Sequence, residues 1–118
     1  MKKVLSAVLV LALVLGVCGM AFAGVKTKIG LITMDQMDVH WVRLRNAAQA
    51  RVDALNKEGN EITMVWLPPP AKNKPQQIGK IQNAVADGVN YIIIACNDGT
   101  SANRALQEAL DAGIKIIY

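Results

Sequence analysis

Polar and aromatic side chains crowd into two short stretches of this sequence. The first is Asp35-Gln36-Met37-Asp38, followed at once by His40 and Trp41, and the second is Asn97-Asp98. Carboxylates and amides can hydrogen-bond a polar solute, and an indole face can stack on the C–H face of a sugar ring. The same residue types could also support catalysis or metal binding, so each chemistry needs a test against the spacing.

The spacing argues against the common catalytic and cofactor motifs. His40 is the only histidine and has no second His or Cys at metal-ligand spacing. No G-x-S-x-G turn, G-x-G-x-x-G fingerprint or P-loop is present, and Gly30 lies inside the first predicted strand. Cys96 has no flanking catalytic signature. We therefore predict no catalytic residue, no metal, no cofactor and no enzymatic activity.

The N-terminal segment has the pattern of an export signal. Two lysines precede an apolar run from Val4 to Val17, and Ala21-Phe22-Ala23 matches the small-x-small site of signal peptidase. The run is short for a membrane span, which needs about 20 apolar residues. We predict a signal peptide over residues 1–23 and export to the periplasm or cell envelope. An uncleaved anchor, or a lipoprotein attached through Cys18, remains the alternative.

The remaining residues, 24–118, suffice for one small domain. They keep 11 of the 13 basic residues and all 9 acidic ones, a net charge of +2. That balance is not the footprint of a nucleic-acid-binding protein, so no nucleic-acid partner is expected. Cys96 is then the only cysteine, which excludes an internal disulfide.

A strand–helix unit repeats three times in this domain, and a fourth strand follows. Strands are predicted at 28–34, 62–67, 91–95 and from 114, and helices at 39–58, 74–87 and 101–112, where apolar residues recur at steps of three and four. The inward stripes are Trp41, Leu44, Ala48, Val52 and Leu55, then Ile78, Ile81 and Val85, then Ala102, Leu106 and either Ala109 or Leu110. Glycines 59, 88 and 113 should end the helices, and the predicted N-caps are Asp38, Asn73 and Thr100.

Continuous apolar strands such as 91–95 are typical of a parallel sheet with helices on both faces. Right-handed crossovers then predict a doubly wound, three-layer α/β fold of order βαβαβαβ. Ligands of such sheets bind beyond the carboxyl ends of the strands, where both polar stretches and Pro68-Pro69-Pro70 fall. Local roles remain open beside ligand binding: Asp38 can cap a helix, Trp41 can pack in the core, and Asn97 and Asp98 can shape a turn.

Three stretches resemble the N-terminal half of the type I periplasmic sugar-binding proteins, the ribose- and galactose-binding class that serves ABC importers. They are KIGLITMDQMDVHWVRLRNAAQA, QQIGKIQNAVADGVNYIIIA and ALQEALDAGIKIIY, and the resemblance covers nearly all of Gly24 to Tyr118. It implies an incomplete N-terminal lobe of a two-lobe fold, a small polar ligand such as a sugar, a membrane permease as partner, and a monomer when complete.

The resemblance also implies which residues contact the ligand. It places a polar contact and stacking aromatics on the lip after the first strand, and further polar groups after the third: Asp35, Gln36, Asp38, His40, Trp41, Asn97 and Asp98. The chain departs from the family pattern at two positions. His40 stands where the family has the first aromatic residue of the pair, and Val39 stands where the family usually has a proline. The ligand-binding Asp expected after the fourth strand, the hinge and the second lobe are not in this sequence.

Other functions share parts of this pattern. The same exported lobe could serve a chemoreceptor or a sensor kinase, or the chain could be a non-functional fragment. Sugar-responsive repressors use this lobe, but the signal peptide and the missing helix-turn-helix argue against that class. A hydrolase lacks its nucleophile elbow here. We also expect residues 24–118 to fold poorly alone, with an exposed sheet edge and uncovered apolar surface.

Overall fold

The computed structural model describes residues 23–118, so the signal-peptide prediction and the Cys18 alternative lie outside the described residues apart from Ala23. Seven elements alternate as predicted, and their ends differ from the predicted ones by at most two residues. They are β1 (Lys26–Ile32), α1 (Val39–Lys57), β2 (Glu61–Trp66), α2 (Lys74–Ala86), β3 (Tyr91–Ile94), α3 (Asn103–Asp111) and β4 (Lys115–Ile117). No helix in this part of the chain is long and apolar enough to cross a membrane.

The four strands form one parallel sheet in the order β2-β1-β3-β4. β1 is central and pairs with β2 on one side and β3 on the other, for example Lys26 with Glu61 and Ile29 with Tyr91. The chain therefore winds first to one side of β1 and then to the other. Right-handed crossovers place helices on both faces of such a sheet, which confirms the doubly wound α/β prediction.

The main core lies between the sheet and the helices α2 and α3. Ile32, Ile92 and Ile94 point from alternate strand positions into a cluster with Ile81 and Leu106, and all five are buried. Alternate strand positions share one face, so the neighbouring residues of each strand point to the face of α1.

α1 covers its face of the sheet incompletely. It packs mainly against β2, and Val52 is its only buried residue. Leu44, predicted to point inward, is 37% exposed, and Tyr118 beyond β4 is 81% exposed. An apolar cavity of about 250 Å³ lies beside α1, lined by Leu31, Leu44 and Ile93 among others. This open face agrees with the expectation of uncovered apolar surface.

Two predicted N-caps are confirmed and the third is wrong. Asp38 Oδ1 accepts a hydrogen bond from His40 N at 2.9 Å, and Asn73 Oδ1 accepts one from Gln76 N at 3.0 Å. α3 begins after Ala102, without a side-chain cap, and not after Thr100. The reason is that Asp98 Oδ1 accepts hydrogen bonds from two backbone N–H groups in a separate turn ahead of the helix, so the helix starts later. The glycines at 59, 88 and 113 all have positive φ, as predicted.

The buried face of α2 is rotated by about one residue from the predicted stripe. Gln77, Ile81 and Ala84 are buried, whereas Ile78 and Val85 are only partly covered. A Cβ added to Gly30 of β1 would lie 3.4 Å from Ala84 Cβ. The helix therefore sits close to β1 through small residues, and Gln77 lies on the same buried face. In α3, Ala109 is the inward residue and Leu110 is exposed.

Candidate functional site

The loop after β1 is shaped by the side chain of Asp35, which is only 5% exposed. Its Oδ1 atom accepts hydrogen bonds from Met37 N at 2.9 Å and Asp38 N at 2.8 Å. Thr33 Oγ1 donates to Asp35 O at 2.9 Å. These short-range bonds fold the loop into a turn, and the other carboxylate oxygen of Asp35 has no hydrogen-bond partner within residues 23–118.

An open groove of about 620 Å³ runs along this loop. It is lined by Asp35, Met37, Asp38, Pro70, Ala71 and Lys72. The loops after β1 and β2 therefore face each other across the groove, with two carboxylates on one wall and an ammonium group on the other. Gln36, between the lining residues, is exposed. Asp38 is exposed as well, and it uses only one carboxylate oxygen as the cap of α1.

His40 and Trp41 form an aromatic pair at the start of α1. Their ring centroids are 4.7 Å apart and the planes are inclined by 77°, an edge-to-face contact. His40 is exposed, whereas Trp41 is half-buried and lines the apolar cavity beside α1. Trp41 Nε1 is buried without a hydrogen-bond partner among the described residues. Trp41 thus lines a different cavity from Asp35 and Asp38.

The loop after β3 holds Asn97 and Asp98. Asp98 Oδ1 accepts hydrogen bonds from Thr100 N at 2.8 Å and Ser101 N at 2.7 Å, and Oδ2 lies 2.5 Å from Lys74 Nζ. The Lys74 ammonium, with the two backbone N–H groups, holds the pKa of the Asp98 carboxyl well below its usual range. Asp98 is therefore ionised and already engaged within the protein.

Asn97 is half-buried and differs from Asp98 in having a free donor. Its backbone N–H donates to Gln77 Oε1 at 2.9 Å. Its side-chain Nδ2 is buried without a partner among the described residues. A buried amide without a partner is costly unless a ligand or water supplies one. Asn97 is thus the group on this loop with the clearest capacity to bind something else.

Neighbouring Cys96 is a poor nucleophile. Burial, followed by the charge of Asp98, raises the pKa of the Cys96 thiol, so the reactive thiolate is disfavoured at neutral pH. Within residues 23–118 no three His, Cys, Asp or Glu side chains are grouped as metal ligands. The described loops thus offer hydrogen-bond donors, acceptors and charge, which suit reversible binding of a polar solute.

The structure brings the predicted residues together only in part. Both loops lie at the carboxyl edge of neighbouring strands, but Asn97 and Asp98 do not line the groove of Asp35 and Asp38. A second cavity, of about 550 Å³, lies at the opposite, amino edge and involves Asn90. Because it lies at the amino edge, this cavity is remote from the polar loops, and the Asn90 side chain already accepts a hydrogen bond from Lys28 N at 2.7 Å.

Several residues around the loops were missed by the sequence analysis. Lys72 and Lys74 supply the positive charge, Gln77 is buried beneath both loops, and Trp66 donates from Nε1 to Thr33 Oγ1 at 3.0 Å. Arg45 of α1 lies over the Trp66 ring, with Cζ 4.8 Å from the centroid. Only Gln77 had a sequence signal, because a glutamine four residues before Ile81 falls on the apolar stripe of α2.

Comparisons with known proteins agree with this architecture. Two solved structures are ABC transporter solute-binding proteins from Clostridium phytofermentas, with bound L-rhamnose, and from Agrobacterium vitis, with bound α-D-tagatopyranose. Both are 25% identical to this chain, with TM-scores of 0.71 and 0.70, and the match covers 79% and 77% of it. The chain spans only 27% and 29% of their lengths, which is less than a third of each protein.

A curated relative and a family match point the same way. The multiple sugar-binding periplasmic receptor ChvE of Rhizobium radiobacter is 44% identical over 43 residues, which is 36% of this chain and 12% of ChvE. Residues 29–118, most of the described domain, match the periplasmic binding protein domain family. This match confirms the resemblance noted from the sequence: the chain belongs to the periplasmic binding protein domain family.

Proposed function

We propose that this chain is part of the N-terminal lobe of an exported solute-binding component of an ABC importer, and that its ligand is a sugar. The observation that carries the proposal is the polar carboxyl edge of the sheet, where Asp38 and Asn97 keep free hydrogen-bonding groups. Open α/β sheets bind ligands at this edge. Structurally similar solute-binding proteins were solved with monosaccharides bound, which supports a sugar as the ligand class.

The two loops take different roles in this proposal. Asp38 accepts from sugar hydroxyls through the oxygen not used for capping, and Asn97 donates through Nδ2. Asp35 and Gln36 line the same lip, and the exposed ring of His40 supplies aromatic surface for the sugar. Trp41, which lines the separate apolar cavity, supports His40 through their edge-to-face contact. Asp98 acts indirectly, since its carboxylate is held by Lys74 and shapes the loop.

The rest of the site and its partners complete the proposal. The second wall of a closing cleft comes from a second lobe, as in hinged binding proteins, and the loaded protein delivers its ligand to a membrane permease. Residues 1–23 act as the signal peptide that exports the protein, which then works as a monomer in the periplasm or cell envelope. It catalyses no reaction, because binding and release are sufficient for delivery.

A sensory role is the second candidate. ChvE is named as a periplasmic receptor, so the same lobe could present bound sugar to a membrane chemoreceptor or sensor kinase. The two candidates share the ligand site and differ in the membrane partner. Co-purification with a permease or with a receptor, in the presence and absence of sugar, separates them.

Calorimetry with a monosaccharide panel tests the ligand class. The protein expressed from its complete reading frame is titrated with L-rhamnose, D-tagatose, D-ribose, D-galactose and D-glucose. We expect heat from at least one sugar and a loss of affinity of about tenfold, or about 1.4 kcal/mol, in Asp38→Asn. Asparagine still caps α1, so the change removes only the charge-assisted bond.

The matched control is Asp53→Asn. Asp53 is also on α1, is exposed, and accepts a hydrogen bond from Gln49 Nε2 far from the loops. The Asp53→Asn variant should bind the sugar with the same affinity as the parent. Absence of heat with every sugar of the panel would overturn the sugar proposal, and an equal loss of affinity in both variants would overturn the role of Asp38.

A further inference from the structure

Gln77 lies beneath both polar loops and is bonded to each of them. Its Nε2 group donates to Ala95 O at 2.8 Å and to Thr33 O at 3.3 Å, and its Oε1 atom accepts from Asn97 N at 2.9 Å. Thr33 leads into the loop after β1, and Ala95 and Asn97 begin the loop after β3. One side chain of α2 therefore joins two loops that are more than sixty residues apart in sequence.

The burial of Gln77 indicates that these bonds are essential to its position. Its side chain is 1% exposed, in a helix face otherwise occupied by Ile81 and Ala84. An amide transferred from water to such a site is unfavourable unless its hydrogen-bonding groups are satisfied. Gln77 makes three hydrogen bonds, all to backbone groups of the loops. An apolar residue of similar size would fill the same space but would leave those groups unpaired.

The first turns of α2 hold the β3 loop at a second point. Lys74, three residues before Gln77, forms the ion pair with Asp98. The β3 loop is thus attached to α2 through both Asn97 and Asp98. The β1 loop is attached through Thr33 O, and Thr33 Oγ1 in turn donates to Asp35 O.

We propose that Gln77 is a positioning residue: it fixes the β1 and β3 loops relative to each other, and so sets ligand affinity without touching the ligand. The effect on affinity rests on the proposed sugar-binding function, whereas the effect on the loops does not. Fixed placement of both walls matters because ordering a mobile loop on binding reduces affinity.

The test compares Gln77→Met with two controls in the protein expressed from its complete reading frame. Methionine has nearly the same length and no amide. Gln76→Met makes the same change one residue earlier, at an exposed position. Ile81→Val trims the same buried helix face but removes no hydrogen bond to a loop. Two quantities are measured: the amide hydrogen exchange rates of Asn97 and Asp38, and affinity for the monosaccharide panel.

We expect Gln77→Met to raise the exchange rate of the Asn97 amide at least thirtyfold and to lower sugar affinity at least tenfold. Gln76→Met should match the parent in both. Ile81→Val should lose melting temperature but keep affinity within twofold. The positioning role is refuted if Gln77→Met leaves both the exchange rate and the affinity within twofold of the parent. It is also refuted if Ile81→Val, at the same change in melting temperature, loses as much sugar affinity as Gln77→Met.

Gln77→Glu, measured at a pH where the carboxyl is ionised, separates the acceptor bond of Gln77 from its donor bonds and covers a failure of Gln77→Met to fold. An ionised glutamate keeps the acceptor for Asn97 N–H but loses the donor to Thr33 O of the β1 loop and to Ala95 O of the β3 loop. Relative to the parent, the Asn97 amide should stay protected in Gln77→Glu, whereas the Asp38 amide should exchange at least tenfold faster. If both amides exchange as slowly as they do in the parent, the proposal is refuted. If the parent binds no sugar, the proposed function fails, and the exchange rates alone decide the role of Gln77.

Discussion

Replacing Thr33 by valine tests how the end of β1 is tied to the loop that follows. Valine has nearly the same shape, so packing is kept and only the hydroxyl is removed. Thr33 is 1% exposed, and its hydroxyl donates to Asp35 O at 2.9 Å and accepts from Trp66 Nε1 at 3.0 Å. Thr33→Val therefore leaves a carbonyl and an indole N–H without their partner.

The size of the effect follows from these two bonds. A net hydrogen bond contributes about 0.5–1.5 kcal/mol, and a buried group left unpaired costs about 1–3 kcal/mol. Trp66 is only half-buried, so water can replace part of its loss, and we expect a decrease of about 2 kcal/mol in the free energy of unfolding. Thr33→Ser keeps the hydroxyl and loses one methyl group, which costs about 1 kcal/mol.

The assay is urea unfolding of the protein expressed from its complete reading frame, followed by circular dichroism, with the denaturation midpoint as readout and an unchanged m-value as the check on two-state behaviour. Trp66→Phe removes the indole N–H. In the Trp66→Phe background, Thr33→Val should lower the free energy of unfolding by about 1 kcal/mol less than it does in the parent. This difference is the coupling energy of Thr33 and Trp66 in a double-mutant cycle. A Thr33→Val protein as stable as the parent, or more stable than Thr33→Ser, would refute this reasoning.

Three further predictions follow from other positions. The pKa of Asp98 is lowered in the folded state, so its ionised carboxylate stabilises the protein above about pH 4, the ordinary Asp range, and this stabilisation is lost as the pH falls further. When melting temperature is measured between pH 2 and 7, it should fall less steeply at the acid end in Asp98→Asn than in the parent. Gly88→Ala should destabilise the protein by about 1 kcal/mol, because Gly88 has a φ of +68° although no atom crowds it. Gly79→Ala, inside α2 and equally uncrowded, should stabilise the protein by about 0.5–1 kcal/mol in the same thermal melts. Equal effects of the two substitutions would contradict the argument from backbone strain at Gly88. Residues 24–118 expressed alone should bind a hydrophobic dye and melt broadly, because Tyr118 and its neighbours expose apolar surface; a sharp melt without dye binding would contradict it.

The sequence was sufficient to predict the fold because its signals are local. Helix periodicity, the caps Asp38 and Asn73, and the positive-φ glycines all act within a few residues. The strand at 91–94 is also a continuous apolar run, which is typical of a sheet buried on both faces. Local signals failed at the start of α3, where Asp98 competes for the backbone N–H groups that a cap at Thr100 would need.

The candidate site was less predictable because its geometry depends on contacts between distant residues. The sequence indicated that Asp35 and Asp98 lie beyond the carboxyl ends of strands, but not that Lys74 would form an ion pair with Asp98. It also could not show that Trp41 lines a different cavity from the polar groove. Gln77 was overlooked because a helix stripe is predicted from apolar residues, and a buried amide is tolerated only where distant backbone groups satisfy it.

The central place of β1 in the sheet has a consequence for the order in which the protein folds. β1 is the first strand to be synthesised; β2 then adds to one of its edges, β3 to the other, and β4 to β3. No strand has to insert between two strands that have already paired. The sheet can therefore grow outwards in the order in which the chain emerges, and domains generally do begin to fold from their N-terminal part during synthesis. β1 thus serves as the template for both β2 and β3, which makes substitutions in residues 26–32 more damaging to folding yield than equal ones in β4.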